Sequence, residues 1–355
     1  MTVRVGNTPI GVTFDPSNGD IYVTNGVDGT VSVISGASNA VVTTVFVGGE
    51  PSGIAYDPRN GDIYVANLAQ NVSVVSGASN KVVADVPLTL TPPLRAASGY
   101  VAFDSANGEI YVSDSFPTFN ARTVSVVSGV TESTTINVGP SPEGLAFDPS
   151  NANIYVANFD NFGGDYERSQ VGNISVISGE TGAVVARIRV GNSPFGVAYD
   201  PSNGDIYSAN AGDGTVTVIS GETDAVVTTV TIGGAPFGIA FGSDSGDIYV
   251  SNANSGTVSV ISSATNSVIN TVPVGTKPEG IAYDSSDGDV YVANAYDGTV
   301  SVIQPGTNFI LGTSYLEAVT LIVVLLLIVA GVMILRRKRQ RIKIGGQSIE
   351  LKRIV

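Results

Sequence analysis

The stretch Asp15-Pro-Ser-Asn-Gly-Asp-Ile-Tyr-Val-Thr-Asn25 decides how the chain is read. Asp-Pro fixes one backbone angle and Asn-Gly supplies a positive φ, which together make a tight turn between antiparallel strands. Ile21 to Thr24 then give the β-branched and aromatic residues of a strand. The stretch recurs as DPRNGDIYVAN (57–67), DSANGEIYVSD (104–114), DPSNANIYVAN (148–158), DPSNGDIYSAN (200–210), GSDSGDIYVSN (242–252) and DSSDGDVYVAN (284–294). Successive copies start 42, 47, 44, 52, 42 and 42 residues apart. Copies this regular predict a repeat architecture.

Working outward from the stretch, each repeat holds four strand-like runs. In the first, Gly11–Asp15 is strand A, Asp20–Thr24 strand B, Thr30–Ser35 strand C and Ala40–Val47 strand D. Strands A and C alternate with the period of a sheet packed on one face, and the short turns make neighbours antiparallel. The sequence therefore predicts an all-β fold, a seven-bladed β-propeller of four-stranded antiparallel blades over residues 1–303. A β-solenoid is the alternative, but its units are shorter and do not meander through four strands. The seventh repeat has A (Gly280–Asp284), B (Asp289–Ala293) and C (Thr299–Ile303) but no fourth strand after Gln304. Thr2-Val3-Arg4-Val5-Gly6 matches the end of the sixth repeat, Asn270–Gly275. The N-terminal residues are thus expected to supply the missing outer strand and close the ring.

Composition narrows the chemistry. The chain has no cysteine and no histidine, which removes disulfides, thiolates and the commonest general base and transition-metal ligand. The net charge of −14 is divided: from Arg336 onward eight Lys/Arg and one acid give +7, leaving −21 for the rest. A propeller that acidic repels phosphate backbones, so nucleic acid is not an expected partner.

Tyr22-Val23-Thr24-Asn25 spells YVTN, and residues 2–303 resemble the YVTN β-propeller repeat proteins of archaeal surface layers and other cell-surface proteins. The blade repeat, the apolar and basic C-terminal segment and the lack of catalytic side chains predict a membrane-anchored, non-catalytic cell-surface module for binding, adhesion or envelope assembly, with glycans or other surface proteins as partners. The Tyr and Asn of each copy then serve packing and strand-end capping. The P-x-G turn before strand A puts x around the axial channel: Ile10, Ser52, Gly99, Glu143, Phe195, Phe237 and Glu279. A likeness to seven-bladed lactonase-like propellers implies the alternative, a Ca²⁺-dependent extracellular hydrolase with Glu143 and Glu279 as metal ligands. The competing reading of those two acids is a polar, water-filled rim. No other cofactor is expected.

After a linker (304–315), residues 316–335 carry one charge, Glu317. At about 1.5 Å per residue they span about 30 Å, a hydrocarbon thickness, and are expected to form a transmembrane helix. Arg336, Arg337, Lys338, Arg339 and Arg341 follow as a stop-transfer cluster, making 336–355 a basic cytoplasmic tail and the propeller extracellular. No leader precedes Thr2, so export requires a missing or mis-assigned start; a tail-anchored cytoplasmic propeller is the alternative. Asn71 and Asn173 open N-glycosylation sequons.

Antiparallel order puts the A–B and C–D turns on one face of the disc and the B–C and D–A connections on the other. Three connections of the second face are lengthened, at Leu88–Ser98, Ser115–Arg122 and Phe159–Gly172. They carry Arg95, Phe116, Phe119, Arg122, Phe159, Phe162, Tyr166 and Arg168, which are expected to form a recognition patch unless the loops merely pack on the disc. On the first face the A–B turns carry acids from Asp15 to Asp289. These are expected to be turn residues and solubilising charge. The alternative is a divalent cation bridging them to anionic headgroups or neighbouring subunits.

Overall fold

The computed structural model describes residues 1–89, 97–115, 121–159, 172–304, 343–344 and 347–348. Seven four-stranded antiparallel sheets lie in sequence order. In the first blade strand A is Pro9–Asp15, B Asp20–Asn25, C Thr30–Ser35 and D Ala40–Phe46. Strand A starts earlier than the sequence suggests because Pro9 pairs with Asn25 across a bulge holding Ile10 and Gly11. The equivalent bulge opens strand A in every blade. In the seventh blade Thr2–Arg4 is the outer strand, with Thr2 opposite Ser301, Val3 opposite Val300 and Arg4 opposite Thr299. The ring closes through the N-terminal residues, as the sequence predicts.

Strand C departs from expectation. Val31, Ser32, Val33 and Ile34 are all buried, so both of its faces are covered and there is no exposed alternation. Each sheet lies between two others; only the outer strand D alternates toward water, as over Lys81–Pro87. The apolar clusters consequently form between blades. Tyr22, Val31, Val33 and Val45 of the first blade pack with Ile54, Ile63 and Val65 of the second. At the closure Val3, Tyr291 and Val300 meet Ile21, Val23 and Ile34. Each such side chain contributes about 1.5–3 kcal/mol when fully buried.

The repeated Tyr and Asn tie this packing together. The Tyr hydroxyl donates to the next blade: Tyr22 to Asn80 Oδ1 (3.0 Å), Tyr155 to Asp224 Oδ1 (2.8 Å), Tyr207 to Asn266 Oδ1 (3.1 Å) and Tyr291 to Asn39 Oδ1 (2.7 Å). Burial pushes the phenols of Tyr22 and Tyr207 up to about 12. The Asn amide caps its own blade, as when Asn25 Nδ2 donates to Thr30 Oγ1 (3.0 Å) and Ser32 Oγ (2.9 Å). In the third blade Asp114 replaces this Asn and accepts from Thr123 Oγ1 (2.6 Å) and Ser125 Oγ (3.1 Å).

The acids of the A–B turns correct the expectation of solubilising charge. Asp15, Asp57, Asp104, Asp148, Asp200 and Asp284 are buried. Each Oδ1 accepts the N–H two residues on, from Ser17, Arg59, Ala106, Ser150, Ser202 and Ser286 respectively, closing an Asx turn. The second oxygen of Asp15 and of Asp284 points across the blade interface. A Cβ on Gly77 would lie 2.7 Å from Asp15 Oδ2, and one on Gly36 2.8 Å from Asp284 Oδ2. Neither oxygen has an N–H or O–H partner; a glycine Cα–H is what faces it, a weak donor. These carboxylates are turn-forming groups enclosed between blades, not solvent-facing charge. Other acids of the same turns, Asp244 and Asp287 among them, are exposed and fit the expectation.

Phe309–Val355 separates as a second compact unit. Its described residues are the paired two-residue strands Lys343–Ile344 and Gln347–Ser348. The expected span 316–335 and the cluster Arg336, Arg337, Lys338, Arg339 and Arg341 lie outside the described residues. Among the described residues no helix is long and apolar enough to cross a membrane.

Candidate functional site

The channel mouth is built from a backbone device that repeats. The residue before the strand-A proline holds a left-handed φ, 54° at Thr8, 47° at Ser141, 52° at Ser193 and 54° at Lys277. That conformation is unfavourable for a residue preceding proline. It persists because its carbonyl is tied to the residue following the YVTN motif: Gly26 N–H donates to Thr8 O (2.8 Å), Phe159 to Ser141 O (3.0 Å) and Ala295 to Lys277 O (3.0 Å). The strand-A bulge follows immediately and carries the x residue at the axis.

Next to x stands a glycine whose freedom from a Cβ is required. A Cβ on Gly11 would overlap the carbonyl oxygen of Ser52, one on Gly53 that of Gly99, and one on Gly144 that of Phe195. Gly196 meets Phe237 in the same way, Gly238 meets Glu279, and Gly280 meets Ile10, returning to the first blade. The third blade breaks the cycle with Tyr100. Its N–H donates to Ser113 Oγ (2.8 Å), as Gly11 N–H donates to Thr24 Oγ1 (2.8 Å). Burial, and then the charges of Glu143 and Glu279, hold the Tyr100 hydroxyl well above the usual phenol range. The phenol is thus within electrostatic reach of both carboxyls.

The mouth is two-sided. Phe195 and Phe237 stack with centroids 4.3 Å apart, and Phe159 meets Phe195 edge-on at 5.0 Å. Opposite in character, Glu279 is buried and ion-paired with Lys277 Nζ at 2.8 Å. Lys277 Nζ also lies 4.9 Å from the Tyr296 ring centroid. Burial opposes the Lys277 charge, but the hydrogen bond and charge of Glu279 prevail and raise its pKa. Burial pushes the Glu143 carboxyl up to about 8.

Of the expected recognition patch, Phe159 joins the channel mouth, linking the fourth blade's long loop to the axis. Arg122 is exposed before strand C of the third blade, its carbonyl accepting Val138 N–H at 2.7 Å. Arg95, Phe116, Phe119, Phe162, Tyr166 and Arg168 lie outside the described residues. Glu143 and Glu279 do sit at the axis, but the described residues contain no group of three or more acids that could hold a metal ion. Asn71 is half-buried and donates to Asp85 Oδ1 (3.3 Å), while Asn173 Oδ1 accepts from Asn158 (3.1 Å). Sequence reading missed Tyr100, Lys277 and Tyr296. The signal for Tyr100 was a tyrosine aligned with the P-x-G glycine; the other two carry no motif.

No family model matches the chain, and no curated protein does. Among solved structures, hydrazine synthase of Kuenenia stuttgartiensis is similar, with a TM-score of 0.73 over 85% of this chain and 96% of that chain. The chain has the fold of a seven-bladed β-propeller. At 16% identity the likeness concerns the fold alone.

Proposed function

We propose that the chain is a membrane-anchored cell-surface β-propeller of the YVTN, archaeal surface-layer type that binds a glycan or another surface protein at its channel mouth, without catalysing a reaction. The observation that carries this reading is the arrangement at the mouth: a stacked aromatic pair extended by Phe159, which opens one of the long loops. Elsewhere the blades repeat one another. The apolar run 316–335 and the basic residues after it support anchoring with the propeller outside. The calcium-hydrolase alternative gains no support from a donor set in which Glu279 is already paired with Lys277.

Protease treatment of intact cells tests the location: the propeller is expected to be cut while cytoplasmic controls survive, and full protection overturns it. Retention of the full-length protein by isolated envelopes tests the surface. Phe195→Ala is expected to reduce retention, and unchanged retention removes the mouth from the reading.

A further inference from the structure

Four consecutive blades present Glu143, Phe195, Phe237 and Glu279 to the axis: an acid, two stacked rings and a second acid. The two acids differ. Glu279 is neutralised by Lys277, whose Nζ lies 2.8 Å away. Glu143 has no hydrogen bond or ion pair among the described residues. Glu143 is half-buried, and a partly desolvated carboxyl without a partner is costly to charge, a cost that an arriving cation relieves. The rings come from the next two blades, the first of which brings its Phe195 carbonyl against Gly144, beside Glu143; they offer electron-rich faces to a cation and apolar area to a hydrocarbon stem.

Calcium suits this arrangement poorly. It takes six to eight oxygen ligands; the described residues gather no group of three acids, and rings supply no oxygen. An organic cation uses every feature present. We infer that the axial mouth binds an organic ammonium group, with Glu143 as its counter-ion and the Phe195–Phe237 stack, edged by Phe159, as the wall for its apolar stem. The inference rests on the reading of the mouth as a recognition surface and names its ligand class. A free alkylamine and a lysine side chain of a partner chain share this chemistry.

The other titratable groups of the mouth are Tyr100, which feels the charges of Glu143 and Glu279, and the Lys277–Glu279 ion pair. Tyr100 is held protonated by burial and both carboxyls, and the raised pKa of Lys277 keeps it charged. The proton displaced by an incoming ammonium therefore comes from Glu143, whose carboxyl loses its proton at about 8. Below that pH, affinity rises about tenfold per pH unit and then levels off.

The test is calorimetric titration of the full chain in detergent micelles with n-butylammonium chloride, N-acetyl-lysine methylamide and neutral n-butanol. Both amines are expected to bind and butanol is not, with proton release at pH 7 seen from the buffer dependence of the heat. Glu143→Gln is expected to weaken amine binding about tenfold or more at pH 8, with the unfolding transition intact. Tighter binding of the lysine amide points to a partner side chain, and tighter binding of butylammonium to a free amine. Butanol binding as well as the amine, or Glu143→Gln binding as wild type does, overturns the inference. Absence of amine binding while Phe195→Ala still loses envelope retention overturns only the ligand class. Amine binding with retention unaffected by Phe195→Ala overturns the surface reading instead.

Discussion

The two ends of strand A solve the same problem differently. At the A–B turn every described blade but the sixth buries an aspartate in an Asx turn, and the sixth has Gly242 at that place. At the mouth the backbone is equally repetitive, yet the side chain at x changes from Ile10 to Ser52, Glu143, Phe195 and Glu279. At the turn end contact between blades fixes the side chain; at the mouth it fixes the backbone and its glycine, and leaves the side chain at x free to vary. Recognition belongs at the end where structure does not dictate the residue.

The sharpest way to break this comparison is to place a side chain where blades meet backbone to backbone. Gly196→Val at the mouth is expected to cost about 3 kcal/mol, because the Phe237 carbonyl it meets cannot rotate away. At the turn end, Gly36→Ala and Gly77→Ala are expected to cost about 1–3 kcal/mol each, with the two blades agreeing closely. Denaturant unfolding measures all three. A cheap Gly196→Val, or unequal turn variants, would show that the blades adjust independently.

Much of this is legible in the sequence. The period, the turn chemistry and the match of Thr2–Gly6 to Asn270–Gly275 specify blade number and closure, because each is local and repeated. Burial of the turn aspartates was not legible: an Asp in an Asn-Gly turn looks solvated until the neighbouring blade covers it. The mouth was half legible. P-x-G places x at the axis, but the meeting of Phe159 with Phe195 depends on how a loop leaves the disc, and no local pattern encodes that.

A pH dependence sharpens the comparison in the third blade, where Asp114 takes the place of a capping Asn. Burial pushes its carboxyl up to about 7, although the hydroxyls of Thr123 and Ser125 pull it down. The folded state therefore keeps a proton that the unfolded chain releases near pH 4. Stability contributed here is full below pH 4 and falls as pH rises from about 4 to about 7. Asp114→Asn is expected to remove that slope and to gain of order 1–3 kcal/mol at pH 8. Thermal unfolding of both proteins from pH 4 to pH 8 measures it; parallel profiles would count against a protonated Asp114.

The smallest expected effect concerns the Tyr hydroxyls that cross between blades. Tyr155 donates to a carboxylate, Asp224 (2.8 Å), whereas Tyr207 donates to an amide, Asn266 (3.1 Å), in otherwise equivalent places. A hydrogen bond to a charged acceptor contributes about 1.5–3 kcal/mol and one to a neutral acceptor about 1 kcal/mol. Tyr155→Phe is therefore expected to destabilise more than Tyr207→Phe at neutral pH, as denaturant unfolding of the two variants would show. Equal costs at neutral pH would mean that the acceptor's charge is screened by water at the turn. The inter-blade tie would then draw its strength from the buried ring alone.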